Sequence, residues 1–307
     1  MSNRRGFALL AVLWVTVALA ALGLSLSLVA RQALGAGRNR NQLAKEEWSA
    51  EGCAARIRAS IEVYLQSPPR ADARGLSGWS SLDQVVTAQG REANDCEIAM
   101  RPAGDRLDVN AADAQTLRAL LAGLRVDGPR RDSMVAALLD WRDSDDDPRE
   151  LGAESSWYLR SGRQSPRNGA LADILELHRV RGFEQISFDS VLDVEPGRVD
   201  LNHAPLSVIG SLPGFDVEAV SRMAEMRSER IAVRDLAVFS GALSPGAREV
   251  MLASFAELSR MTTTEPDAWV VTVRATGGSP AVGATVEFRL VRAGVRAAIV
   301  RRRSGVV

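Results

Sequence analysis

The chain is poor in the groups that most often carry chemistry. Of its 38 basic residues only Lys45 is a lysine, which nearly excludes Schiff-base catalysis. Its two histidines, His178 and His203, stand beside apolar helical residues and read as structural or solvent-facing. Two cysteines are too few for a four-thiol zinc site. No G-x-S-x-G, H-E-x-x-H or P-loop motif occurs, so the chain reads as non-enzymatic. Net charge is also missing: 38 acidic residues balance the basic ones, which argues against a protein that coats nucleic acid. With 46% hydrophobic residues the chain can build cores and is not disordered. Its 12 prolines and 25 glycines exclude collagen-like and low-complexity chains. A length of 307 residues suits about two domains.

One long run has no charge at all. Residues 7–30 read FALLAVLWVTVALAALGLSLSLVA, about 36 Å of helix and enough to span a bilayer. MSNRRG precedes it. The run is too long for a cleavable secretory signal. A signal anchor fits its length. So does a prepilin, with a basic leader ending in Gly6 and a cut before Phe7. Arg4 and Arg5 favour a cytoplasmic leader, while Arg31, Arg38 and Arg40 weaken that charge argument. Beyond the span, Ala50, Cys53, Ala54, Ile57, Ile61 and Leu65 recur on one helical face. Pro68-Pro69 would stop the helix, and Gly35 and Gly37 would loosen it midway. A plain anchor does not need its span to run on into a core helix. A pilin does.

Farther along, Cys96 to Arg101 and Arg106 to Val109 read as short strands around a Pro102–Gly104 turn. Residues 110–262 read as helices and loops. Period-two alternation returns at Trp269, Val271, Val273 and Ala275, and at Ala284, Val286, Phe288 and Leu290. A last strand from Val295 to Arg301 completes an antiparallel meander. Strands on both sides of a helical block predict an α+β domain carrying an insert. An echo links Asp108-Val109-Asn110-Ala111-Ala112 with Asp200-Leu201-Asn202-His203-Ala204. It predicts two related helical units, with Asn110 and Asn202 as N-caps and Pro205 in a first turn.

Three constellations invite a chemical reading. Leu212-Pro213-Gly214-Phe215-Asp216 resembles a helix-hairpin-helix turn, whose amides can hold a DNA phosphate. Asp216 stands where such motifs usually have a second glycine, and its carboxylate would repel phosphate. A structural turn is the stronger reading. Residues 140–154 hold seven acids and two arginines. Asp143, Asp145, Asp147 and Glu154 have calcium-loop spacing, although Pro148 replaces the usual glycine and excludes an EF-hand. A bound calcium ion and a solvated acidic loop both remain open. Cys53 and Cys96 suit either a disulfide, contributing ~3–4 kcal/mol in the chain-entropy model, or two buried thiols. Arginines 289, 292, 296, 301, 302 and 303, with Glu287, suggest a solvated sheet face or a partner patch.

Together these residues resemble the minor pseudopilin K family of type II secretion systems (general secretion pathway protein K). The resemblance rests on Arg4-Arg5-Gly6 before Phe7 and on the segment Asp140 to Asp146. It also rests on Gly152-Ala153-Glu154, Tyr158, Asn168-Gly169, Glu176-Leu177 and Val180-Arg181-Gly182, and on Val199-Asp200-Leu201-Asn202 to Pro213-Gly214. It implies cleavage between Gly6 and Phe7 by a prepilin peptidase, with N-methylation of Phe7. It also implies calcium in or near the insert, a pilin-like fold, and no enzymatic activity. Ordinary pilins have Glu as fifth mature residue; here Ala11 stands there. A subunit without that carboxylate cannot neutralise a neighbour's N-terminus above it, in apolar surroundings where an unpaired charge is costly, and so suits a filament tip.

The expected organisation is a leader over 1–6, a transmembrane stretch over 7–30, and a pseudopilin helix with first strands over 31–107. Helical units follow over 108–196 and 197–263, the second helix-hairpin-helix or SAM-like. Residues 264–307 supply the last strands. The expected role is a tip subunit of the pseudopilus, anchored once in the inner membrane with its bulk in the periplasm. The implied partners are minor pseudopilins I and J, prepilin peptidase and the inner-membrane secretion platform, with the secretin or exported substrate as further contacts. The alternative is a membrane-anchored helix-hairpin-helix receptor for DNA uptake.

Overall fold

The computed structural model describes residues 3–67, 75–85, 96–277, 282–294 and 296–306, with side chains of the first helix from Val12 onward. Helix α1 runs unbroken from Asn3 to Gln66, 64 residues and about 96 Å. Gly35 and Gly37 do not interrupt it; a Cβ at either would meet nothing within 4 Å. Pro68-Pro69 lie outside the described residues. The apolar side chains of its first half, from Val12 to Leu34, are exposed. Its second half buries one face, Ala50, Cys53, Ala54, Ile57 and Ile61, the stripe that the helical period predicts.

That stripe packs on a four-stranded sheet ordered β1-β6-β7-β8. Its strands are β1 (Glu97–Pro102), β6 (Ala268–Gly277), β7 (Val282–Ala293) and β8 (Arg296–Val306), all antiparallel to their neighbours. Trp269, Val271, Val273 and Ala275 of β6 and Ala284, Val286, Phe288 and Leu290 of β7 face α1. Alternation puts every second side chain on one face of a strand, so two strands and one helix stripe close this core. Trp79 and Trp269 are buried with their polar ends satisfied. Trp79 Nε1 donates to Pro266 O at 2.6 Å and Trp269 Nε1 to Trp79 O at 2.8 Å.

Between β1 and β6 lies the helical insert, with its own core. Its first unit has strand β2 (Leu107–Asp108), helices α2 (Ala114–Gly123), α3 (Gly128–Arg142) and α4 (Ser155–Arg160), and strand β3 (Leu192–Asp193). Its second unit has β4 (Val199–Asp200) and α5 (Leu206–Ile209), α6 (Val217–Ser228), α7 (Leu236–Gly241), α8 (Pro245–Ala253) and α9 (Phe255–Met261), then β5 (Thr262–Thr263). Each unit closes with a short parallel pair, β2 with β3 and β4 with β5.

Two local expectations are corrected. The chain does not form a hairpin around Pro102–Gly104. Leu107-Asp108 leaves the pilin sheet and pairs inside the insert with Leu192-Asp193. Gly104 makes the exit possible: it holds φ +87°, and a Cβ there would lie 1.9 Å from Arg198 O. The asparagines are not N-caps. Asp113 caps α2 by accepting from Thr116 N at 2.7 Å, and Pro205 occupies the N-cap position of α5.

The asparagines instead act as loop clamps. Asn110 accepts from Leu171 N at 2.8 Å and donates to Leu171 O at 3.0 Å. Asn202 accepts from Val233 N at 2.8 Å and donates to Val233 O at 2.9 Å. In both units the preceding Asp turns the chain, Asp108 accepting from Asn110 N and Asp200 from Asn202 N, each at 2.8 Å. An arginine then reaches back from a helix end. Arg142 donates to Val109 O and Ala112 O, and Arg227 to Leu201 O and Ala204 O. The echo in sequence marks one clamp arrangement used in both units.

Candidate functional site

The acidic loop begins where α3 ends. Asp140 lies in the last turn of α3, and Asp143 is the helix's C-cap. One turn apart, the two carboxylates fall on the same side. Glu154 returns at the N-cap of α4, yet its side chain caps nothing. Each of the three offers an oxygen within 4.8 Å of the others.

Asp140 is fully buried and fixed. It accepts from Ala153 N at 2.8 Å and from Arg149 Nη1 at 2.7 Å. Arg149 also reaches Asp143. Gly152 is required here, because a Cβ would lie 2.0 Å from Asp140 Oδ2. Glu154 is 1% exposed, and neither of its carboxylate oxygens has a hydrogen-bond partner. Asp143 Oδ1 and Asn168 Oδ1 are likewise buried without a partner. Asn168, in the left-handed region at φ 50°, is held by its amide, which donates to Asp145 O at 2.6 Å.

The electrostatics follow. Burial, then the charges of Asp140 and Asp143, push the Glu154 carboxyl up to about 7. Asp146 goes the other way: Ser155, accepted by its carboxylate, holds it below the usual range. Arg149 is raised by its hydrogen bonds to Asp140 and Asp143. Buried polar atoms normally find partners, so the three unpartnered oxygens of Glu154 and Asp143, grouped with Asp140, are a deficit that a cation would fill, and Asn168 Oδ1, held in the same loop beside Asp145, is a fourth unpartnered oxygen. The donors are all oxygen, three carboxylates and an amide, the set that suits a hard cation such as calcium. The residues present therefore fit that group.

Of the sequence-predicted ligands, Asp143 and Glu154 come together. Asp145 and Asp147 lie outside the three-residue group and are exposed; Asp145 accepts from Asp147 N at 3.0 Å. Asp140 and Asn168 are the members that calcium-loop spacing missed. The signal for Asp140 was its position three residues before Asp143 at a helix end.

The other candidates fall as follows. Cys53 and Cys96 form a disulfide, with Cα atoms 6.6 Å apart, tying β1 to α1. Gly6, Phe7 and Ala11 lie on the backbone of α1, and their side chains lie outside the described residues. The Leu212–Asp216 turn packs inward: a Cβ at Gly214 would lie 3.1 Å from Met251 Cα. Asp216 N-caps α6, accepting from Ala219 N at 2.8 Å. His178 is exposed. His203 Nδ1 lies 3.0 Å from Asp200 Oδ2, its ring edge-on to Trp269. The basic sheet face is largely answered from within. Arg289 meets Glu195 at 2.8 Å, Arg292 meets Glu265 at 3.2 Å, and Arg301 and Arg302 meet Glu195 and Glu51.

Comparison with known proteins points one way. Residues 82–193 match the family model for type II secretion system protein K, first domain. A chain of Escherichia coli (strain K12) described as a type II secretion system protein K is 26% identical over 197 residues. That match takes in 60% of this chain and 59% of the relative's length. A chain of the GspK–GspI–GspJ complex from the enterotoxigenic Escherichia coli type 2 secretion system superposes with a TM-score of 0.64 at 17% identity. It covers 88% of this chain and 99% of the other, so the two share a fold.

Proposed function

We infer, from the match of residues 82–193 to the type II secretion system protein K model and from the related Escherichia coli chain, that this chain is a minor pseudopilin of that family acting at the tip of a pseudopilus. The observation that carries this reading is the single helix α1. It is long and apolar enough to cross a membrane and continues without a break into the core of the sheet. Such a helix stores the precursor in the inner membrane and later packs among the helices of other subunits. Prepilin peptidase would cut between Gly6 and Phe7 and methylate Phe7. Ala11 leaves the top of the filament without the usual carboxylate, which suits a first subunit. The partners are the chain's own minor pseudopilins I and J, by analogy with the complex that its fold resembles. The periplasmic head would cap the filament. The mechanism is assembly rather than catalysis.

Asp140, Asp143, Glu154 and Asn168 would hold a calcium ion, which supplies positive charge at a point of excess carboxylate. Arg149 keeps Asp140 and Asp143 oriented from the outer side. The bound insert is then rigid enough to be presented at the tip.

N-terminal sequencing of protein made with and without prepilin peptidase tests the reading. The expected result is a methylated Phe7 start only with the peptidase. A start at Met1 in both hosts, or beyond Ala30, removes it. Co-purification with the two minor pseudopilins in calcium should give a ternary complex; none forming would remove the tip role. Calcium binding is read separately by terbium luminescence of the full chain, which Glu154→Gln should abolish.

A further inference from the structure

Strand β8 ends the four-stranded sheet. Its outer edge pairs with no strand among the described residues. Such an edge presents N–H and C=O groups able to accept an added strand. β8 carries Arg296, Arg301, Arg302 and Arg303 and no acidic residue. Arg301 is engaged by Glu195 and Arg302 by Glu51. Arg296 and Arg303 make no ion pair among the described residues. Burial, then the adjacent charge of Arg303, hold the Arg301 guanidinium below its ordinary value. β8 itself carries only positive charge, with Glu287 of β7 opposite Arg303 in register and 3.9 Å from Arg301.

The two faces of β8 differ. Register sets Arg302, Ser304 and Val306 opposite Phe288, Val286 and Ala284, on the side of α1. Arg301 and Arg303 face away from it. On the α1 side a groove of about 440 Å³ opens, lined by Trp48, Val286, Val306, Glu47 and Glu51. Trp48 is 79% exposed. A large aromatic beside a groove is the usual kind of anchor at a protein interface.

We propose that the outer edge of β8 docks an extended acidic segment of a partner protein, a strand alternating apolar and acidic residues. Its apolar side chains pack into the groove at Trp48 and Val306. Its acidic side chains lie on the other face, beside Arg303. Main-chain hydrogen bonds supply affinity and the alternate side chains supply selectivity. Opposite charges on neighbouring strands attract and like charges repel. A second copy of this chain fits poorly, because pairing β8 with β8 brings arginines against arginines. Glu47 and Glu51 on the groove rim repel acids from the α1 side and so fix which face of the incoming strand is acidic. The break in register at Val300, between Arg289 and Leu290 of β7, and the arginines are also devices that discourage unselective pairing. They leave an acidic strand as the favoured guest.

The test uses the full chain in detergent and a fluorescent peptide of alternating valine and glutamate. The control peptide alternates valine and lysine. Anisotropy should show saturable binding of the glutamate peptide, about tenfold or more tighter than the lysine peptide. Amide exchange should slow across residues 296–306. Arg303→Glu should reverse the preference, and Trp48→Ala should weaken the glutamate peptide about tenfold. Both side chains are exposed, so the unfolding midpoint should not move, which separates lost docking from lost folding. Absent saturation, equal affinity for the two peptides, or protection confined to other residues overturns the proposal.

Discussion

Glu154→Gln tests the acidic centre most directly. Glu154 is 1% exposed and unpartnered, with its carboxyl raised from 4.5 to about 7. A raised carboxyl means that the folded state keeps a proton which the unfolded chain has already released. The two states are protonated alike well below pH 4.5. Stability then falls as pH rises through the window from about 4.5 to about 7, and levels off above it. At about 1.4 kcal/mol per pH unit the full cost is about 3 kcal/mol. Glutamine cannot ionise, so the variant escapes that cost. With a chelator at pH 8, Glu154→Gln should be more stable than the parent by up to about 3 kcal/mol. At pH 4.5 the two should nearly coincide. Calcium should reverse the order: the parent gains about 2.7 kcal/mol at a hundredfold excess over the dissociation constant, and the variant gains little. Urea unfolding read by amide exchange within the insert gives both numbers. The reasoning fails if the parent shows no fall in stability between pH 5 and 7 in chelator. It also fails if the variant is the weaker protein at pH 8.

Further outcomes are expected elsewhere. Reducing Cys53–Cys96 should cost about 4 kcal/mol in the chain-entropy model for a separation of 43 residues, seen as faster exchange in β1 under dithiothreitol while the insert is unchanged. Asn202→Ala strands Val233 N, Val233 O and Thr264 O, and should destabilise the second unit by about 2–4 kcal/mol; urea midpoints of Asn202→Ala and Asn110→Ala should fall alike. Gly152→Ala drives a methyl into Asp140, so it should weaken terbium binding even if the fold survives.

What the sequence made legible has a physical pattern. The face of α1 was readable because Ala50, Cys53, Ile57 and Ile61 recur with the helical period, and a buried stripe leaves that trace. β6 and β7 were readable because alternation survives over ten or more residues. Leu107-Asp108 was misplaced because a two-residue strand has no period, and its partner lies at Leu192-Asp193. The asparagine of the echo was correctly marked as special but given the wrong task. An amide can cap its own helix or clamp a distant loop. The choice depends on Leu171 and Val233, 61 and 31 residues away. In the acidic segment, spacing brought out Asp143 and Glu154. Asp140 escaped because a calcium-loop template starts after the helix, whereas this centre uses the helix end itself.

The shared clamp explains why the acidic centre sits where it does. The clamp arginine and the clamped backbone are separated by 28 residues in the first unit, between Arg142 and Leu171, and by five in the second, between Arg227 and Val233. Closing the longer loop costs about 1.5 kcal/mol more in chain entropy, before its own residues are ordered. The excess segment includes Asp143, Glu154 and Asn168, three of the four oxygen donors, and Asp140 stands just before it. Hydrogen bonds from Arg149 and Ala153 to Asp140 tie the segment to α3, but the unpartnered oxygens of Glu154 and Asp143 oppose that closure. A cation at this point would turn the opposing term into a tie. The second unit needs none, because five residues cross the same gap with Asn202 and Arg227 as the clamp. The centre is therefore best understood as the fastening of an insertion: loss of its ion should loosen residues 143–170 and leave the second unit's exchange rates unchanged.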